Sequence, residues 1–214
     1  MAKIIVFSNL KGGTGKSTLC CHFAHYLVKK GKKVGVLDAD TSQNIYNMRQ
    51  RELKASPEAE IPWQVWQLAG TSNIEAILKR AKDMEGYVLI DCPGTLSDKN
   101  LLQVFKTADV AVIPFRYDDF MVDSTISFTK VLKSEAPDIK LVYVPNIIKL
   151  SVKYPLEASA TEMFAKVGIV SFRIKDGVAV QRLSSLSPQD EYQEAATAGA
   201  FNTIYEIIRS ATHP

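Results

Sequence analysis

Residues 8–18 read Ser-Asn-Leu-Lys-Gly-Gly-Thr-Gly-Lys-Ser-Thr, SNLKGGTGKST, and the fold turns on this stretch. It fits the phosphate-loop pattern G-x-x-x-x-G-K-[ST] at Gly15, Lys16 and Ser17, but Leu10 stands where the first glycine belongs. Gly12 and Gly13 can supply the turn instead. Beside them lies Lys11, a second lysine that the usual loop does not need. Glycines at this spacing let successive backbone N–H groups turn inward as an anion nest, and the following helix N-terminus adds positive potential. Gly12, Gly13, Thr14 and Gly15 then form the cradle. Lys16 should reach the β- and γ-phosphates, Ser17 should ligate Mg²⁺, and Thr18 can bond the α-phosphate.

Such a loop needs a strand before it and a helix after it, and the chain supplies both. Apolar runs at Ile4–Ser8, Lys33–Asp38, Gln64–Leu68, Tyr87–Asp91, Val110–Pro114, Lys140–Pro145 and Gly168–Phe172 read as strands, several buried on both faces. Between them, helix-like stretches fall near 16–30, 72–83, 98–106, 119–134, 155–167 and 190–210. This alternation predicts right-handed βαβ units in a three-layer α/β/α fold with a mostly parallel twisted sheet, of the P-loop NTPase type. Arg49–Pro62, charged and holding two prolines, reads as a mobile insertion. Residues 1–214 are expected to form one domain.

Composition narrows the class. The chain is 46% hydrophobic and 23% charged, ordinary for a globular protein, and no run approaches the ~20 apolar residues of a membrane span. The N-terminus reads as a first strand, with no cleavage-site pattern of a signal peptide. Cys20, Cys21 and Cys92 form no C-x-x-C pair and read as buried residues in a reducing cytosol. His22 and His25, three apart on the first helix, read as packing residues in preference to a metal pair. The net charge of +3 is uneven: residues 140–182 hold seven basic groups against three acidic ones. A segment of +4 is either a solvated face or a phosphate-backbone footprint.

Two strand ends carry carboxylates. Tyr87–Asp91 closes on Asp91, suited to hold a Mg²⁺-bound water. Val36-Leu-Asp38-Ala-Asp40 ends in two acids at i and i+2, which point to one side of an extended chain. One could hold metal water while the other orients the attacking water; both could instead cap the next helix.

Together these residues resemble the ParA/MinD superfamily of deviant Walker A ATPases. Lys11-Gly-Gly-Thr-Gly-Lys-Ser-Thr is similar to its first box, Asp38-Ala-Asp40 with Asn44 to its switch I, and Asp91-Cys-Pro-Gly94 to its Walker B and switch II. Val144-Pro-Asn146 resembles its adenine-contacting element. The short chain is most similar to small ParA-type partition ATPases. Family members often read Asp-x-Asp-Pro-Gln-Gly-Asn where this chain has Thr41, Ser42 and Gln43 between Asp40 and Asn44. It also has Phe172-Arg-Ile-Lys175 in place of a clear Ile-Pro-x-Arg element.

The resemblance implies ATP and Mg²⁺ as cofactors and a homodimer formed on ATP binding. It implies that Lys11 reaches the partner's phosphates, that Asp40 positions the hydrolytic water, and that Ser17, Asp38 and Asp91 serve the metal. It further implies non-specific DNA and a ParB-type centromere-binding protein as partners, slow hydrolysis, and a cytoplasmic, nucleoid-associated location without membrane. The competing expectations are a dethiobiotin-synthetase-like ligase and a MinD-like positioning switch. The latter would need a basic amphipathic C-terminal helix, and Phe201–Pro214 offers one arginine and one glutamate. An iron–sulfur protein would need cysteine pairs, and a related tyrosine kinase a tyrosine-rich tail.

Overall fold

A computed structural model of the chain describes residues 1–68, 70, 73–95 and 100–211. The expected helix starts at 72 and 98, and the last three residues of Phe201–Pro214, lie outside the described residues. The elements run β1 (Lys3–Phe7), α1 (Lys16–Lys29), β2 (Val34–Asp38), α2 (Asn44–Ala55), β3 (Gln64–Gln67), α3 (Ile74–Asp83), β4 (Tyr87–Asp91), α4 (Asn100–Thr107) and β5 (Val110–Phe115). They continue with α5 (Asp119–Glu135), β6 (Lys140–Pro145), α6 (Glu157–Ala165), β7 (Ile169–Val170), α7 (Val178–Gln181) and α8 (Glu191–Ser210).

All seven expected strands join one sheet, in the order β3-β2-β4-β1-β5-β6-β7. Every pairing is parallel. Along β1 the side chains alternate between two apolar layers. Ile4 and Val6 enter a core shared with α3 to α6; Ile5 and Phe7 enter another shared with α1, α2, α7 and α8. Each face of the sheet is thus covered by helices. The edge strand β7 is shorter than its apolar run, because only Ile169 and Val170 find ladder partners on β6.

The pairing register puts functional residues in a row. Phe7 pairs with Asp91, Asp91 with Asp38, and Asp38 with Gln67, so four carboxyl-end residues of β1, β4, β2 and β3 stand side by side. Open parallel sheets bind their ligands at this end.

One expectation is overturned. Arg49–Pro62 is not wholly an insertion, for its first half is the body of α2. Arg49 is buried: its guanidinium donates to Ser185 Oγ (2.8 Å), Ser185 O (2.7 Å) and Trp63 O (2.8 Å), and lies over the Trp63 ring. Three hydrogen bonds, one from each guanidinium nitrogen, help to make such a burial tolerable. The histidines act as packing residues. His22 Nε2 meets Val180 O (2.9 Å) and His25 Nε2 meets Ser184 O (3.0 Å), fastening the 178–187 strap to α1. Burial pushes both imidazole pKa values down. Cys20, Cys21 and Cys92 are free and buried, and burial pushes their thiols up. Among the described residues no helix is long and apolar enough to cross a membrane.

Candidate nucleotide-binding site

The loop of residues 8–18 leaves the carboxyl end of β1 and turns into α1, as the motif requires. Gly15 precedes the first helical residue with φ 88°, a left-handed conformation that glycine adopts freely. A Cβ at Gly15 would also overlap the Asn146 amide nitrogen. Asn146 is buried at the end of β6 and its Nδ2 donates to Thr14 O (2.8 Å), so the loop is pinned from the neighbouring strand ends. Lys16 is buried and donates to Lys11 O (3.2 Å), whereas Lys11 itself extends into solvent. Across the crevice, a Cβ on Gly94 would stand 3.2 Å from the Gly12 nitrogen, so the chain after β4 lies against the loop.

Asp91 is the electrostatic anomaly of the site. It is fully buried and neither carboxylate oxygen has a hydrogen-bond partner of ordinary geometry. Burial pushes its pKa up to about 8, reinforced by Asp38 and Asp40; the Ser17 hydroxyl and the Lys16 ammonium oppose the rise. An isolated buried carboxylate is costly, and a cation beside it removes the cost. The donor set of a carboxylate and a serine hydroxyl, hard oxygens both, fits Mg²⁺.

Asp38 lies next to Asp91 but is otherwise engaged. Its Oδ2 accepts from the amides of Ile45 and Tyr46 (3.0 Å each), and its Oδ1 from Asp40 N (3.3 Å). It therefore anchors the N-terminus of α2, where a carboxylate is stabilised by orphan amides and the helix dipole. Burial raises its pKa and these amides hold it down. Of the two readings of these acids, helix capping describes what Asp38 does here. Asp40 is half-buried at the rim, its Oδ1 accepting from Ser42 N (2.9 Å) and Ser42 Oγ (2.7 Å). Ser17 and Thr18 are half-buried on the first turn of α1.

Two residues at the site escaped sequence reasoning. Asn9 is buried; its Nδ2 donates to Pro114 O and Thr125 Oγ1 (2.9 Å each), while its Oδ1 accepts from Leu10 N (2.7 Å). It ties the loop entrance to β5 and α5, and a polar residue closing an apolar strand was its only signal. Gln67, whose amide donates to Gln43 Oε1 (2.7 Å), left no signal at all.

The basic segment is partly neutralised. Arg173 pairs with Glu157, Lys166 with Glu162 (3.0 Å), and Arg182 with Asp190 (3.0 Å), while Lys140 donates to Ser210 O (3.0 Å). Among the described residues, Lys149, Lys153 and Lys175 have no ion pair, and all three are exposed. Lys175 bridges to Ile148, which brings the loops after β6 and β7 together at the nucleotide end of the sheet.

Comparison with known proteins gives a consistent answer. The family model described as ATPase MipZ matches residues 3–129, more than half of the chain. The maintenance of carboxysome distribution protein A of Halothiobacillus neapolitanus is 27% identical over 145 residues, covering 66% of this chain and 65% of that one. The chromosome-partitioning ATPase Soj of Thermus thermophilus is 27% identical over 157 residues, covering 60% of this chain and 61% of its own. The match thus spans less than two thirds of the length of these two relatives. The AMPPNP-bound crystal structure of a proposed plasmid partition protein from Borrelia burgdorferi superposes with a TM-score of 0.71 at 17% identity, covering 99% of this chain and 100% of that one.

Proposed function

Because the chain belongs to the family described as ATPase MipZ, and with it to the ParA/MinD deviant Walker A ATPases, we propose that it is a DNA-partition ATPase. ATP brings two copies face to face, the ATP dimer holds non-specific DNA, and slow hydrolysis releases both. A ParB-type partner would quicken that step on the nucleoid. The observation carrying the nucleotide chemistry is the unpartnered Asp91 set beside Ser17 and Lys16 beneath a glycine loop. Ser17 and Asp91 are the residues that would hold Mg²⁺, which when bound neutralises charge on the phosphates. Asp38, already used by α2, is left out of that set.

Lys16 serves the phosphates of its own subunit. Lys11, exposed on the rim, is free to cross to those of a second copy, and burying two polyphosphates between subunits demands such a cation. Asp40 positions the attacking water, and Asn146, bonded to Thr14 O, is the residue assigned to contact the adenine. Lys149, Lys153 and Lys175 are the cations left to touch DNA phosphates.

A second reading, cargo positioning without chromosome segregation, is favoured by the carboxysome-distribution relative. Titrating the protein with non-specific duplex DNA, with and without Mg-ATP at two salt concentrations, tests the first. Three free lysines in each of two subunits predict binding with ATP that weakens about a thousandfold between 50 and 200 mM salt. No binding in any state refutes the DNA reading and redirects the search to a protein cargo or a ligase substrate.

A further inference from the structure

We propose that Gln43 and Gln67 form a clamp that positions Asp40 for hydrolysis, so that both are positioning residues of the ATPase reaction. The inference rests on Asp40 as the water-orienting group and adds what holds it there. Gln43 has φ 51° and ψ 43°, in the left-handed region that side-chain-bearing residues rarely occupy. It cannot relax without moving its neighbours, because Gln43 N donates to Asp40 O (3.0 Å) and Gln43 O accepts from Asn47 N (2.8 Å). Asp40 to Gln43 is thus one tight turn that opens directly into α2.

Three anchors hold this turn. Asp38 grips the first amides of α2 downstream of it. Within it, Ser42 holds Oδ1 of Asp40 through its amide and its hydroxyl, while Asn44 Nδ2 donates to Ser42 Oγ (2.8 Å). From outside, Gln67 Nε2 donates to Gln43 Oε1 (2.7 Å). Gln67 is the last residue of β3, paired in register with Asp38, so this third anchor is fixed to the sheet itself. A glycine at position 43 would take the required backbone at little cost. Glutamine meets the same demand at a cost, and the bond to Gln67, at the exposed rim of the sheet, helps to hold it there. Strain held by its surroundings next to a reacting group is a recurrent form of preorganisation.

The clamp is tested with Gln67→Ala, Gln43→Gly and the double variant. The readouts are kcat and KM for ATP hydrolysis, and the affinity for a fluorescent ATP analogue. Losing one hydrogen bond should lower kcat of Gln67→Ala about three- to fivefold with KM and affinity unchanged. The double variant should recover to within about twofold of the starting rate, since glycine needs no tether. A Gln67→Ala variant with undiminished kcat overturns the clamp, and so does a deficit that glycine fails to rescue. An Asp40→Ala control with full turnover would instead remove the water-positioning role of Asp40 on which the clamp depends. A parent chain without turnover would refute the ATPase reading as a whole.

Discussion

Replacing Asp91 with asparagine should stabilise the nucleotide-free protein by an amount that grows with pH. In the folded chain burial pushes the Asp91 carboxyl up to about 8, against an ordinary 3.8 once the chain unfolds. Between those values the folded state holds a proton that the unfolded state has released, so raising the pH favours unfolding. Asp91 therefore weakens the fold progressively from about pH 4 to pH 8 and no further beyond. Four units at about 1.4 kcal/mol each give roughly 5–6 kcal/mol at pH 8, a large share of a domain's typical 5–15 kcal/mol. Asparagine keeps the shape and does not ionise, so its advantage should be about 1–2 kcal/mol at pH 5 and roughly 5 kcal/mol at pH 8. Urea unfolding of both proteins in EDTA, compared at each pH, measures it. The comparison cancels His22 and His25, whose lowered pKa values act in the opposite sense by costing stability below about pH 6.5. A difference that stays flat from pH 5 to pH 8 would refute the account of Asp91 as an uncompensated buried charge. Mg-ATP should raise the melting temperature of the parent more than that of the variant.

Other perturbations reach different parts of the site. Lys11→Ala should keep ATP binding and lose ATP-dependent dimerisation, read by light scattering. Gly15→Ala combines a left-handed backbone with a collision against Asn146; it should cost at least about 1–2 kcal/mol in urea and abolish binding of a fluorescent ATP analogue. Arg49→Ala leaves Ser185 and Trp63 without their donor and opens a void, which should cost about 3–4 kcal/mol of unfolding free energy.

The strands were legible because a parallel sheet covered on both faces demands apolar runs, and those runs stand out against their amphipathic surroundings. Helix α2 was not. It buries little beyond Ile45 and Arg49, and so lacks the apolar stripe by which a helix is recognised. Burial of Arg49 depends on Ser185, 136 residues away, a partner that no local pattern can announce. The loop glycines, Lys16 and the strand-end acids were visible from residue type and spacing. The division of labour between the acids was not. Asp38 and Asp91 look alike in sequence, and only the folded chain shows one clothed in amides and the other bare. Gln43 was visible as a departure from the usual switch, but its left-handed backbone and its bond to Gln67 are properties of three dimensions.

The buried thiols give the protein a built-in clock. Cys20 and Cys21 sit on the helix that begins at the phosphate loop, and Cys92 follows Asp91. Thiols that are shielded and hard to deprotonate react with alkylating reagents only when their segment opens. The unmodified chain should therefore be nearly inert to iodoacetamide while folded, and slow labelling of Cys20 and Cys21, located by peptide mapping, should report how often α1 parts from the sheet. A ligand gripping the N-terminus of that helix would slow the clock, so nucleotide affinity can be timed without attaching any probe to the protein.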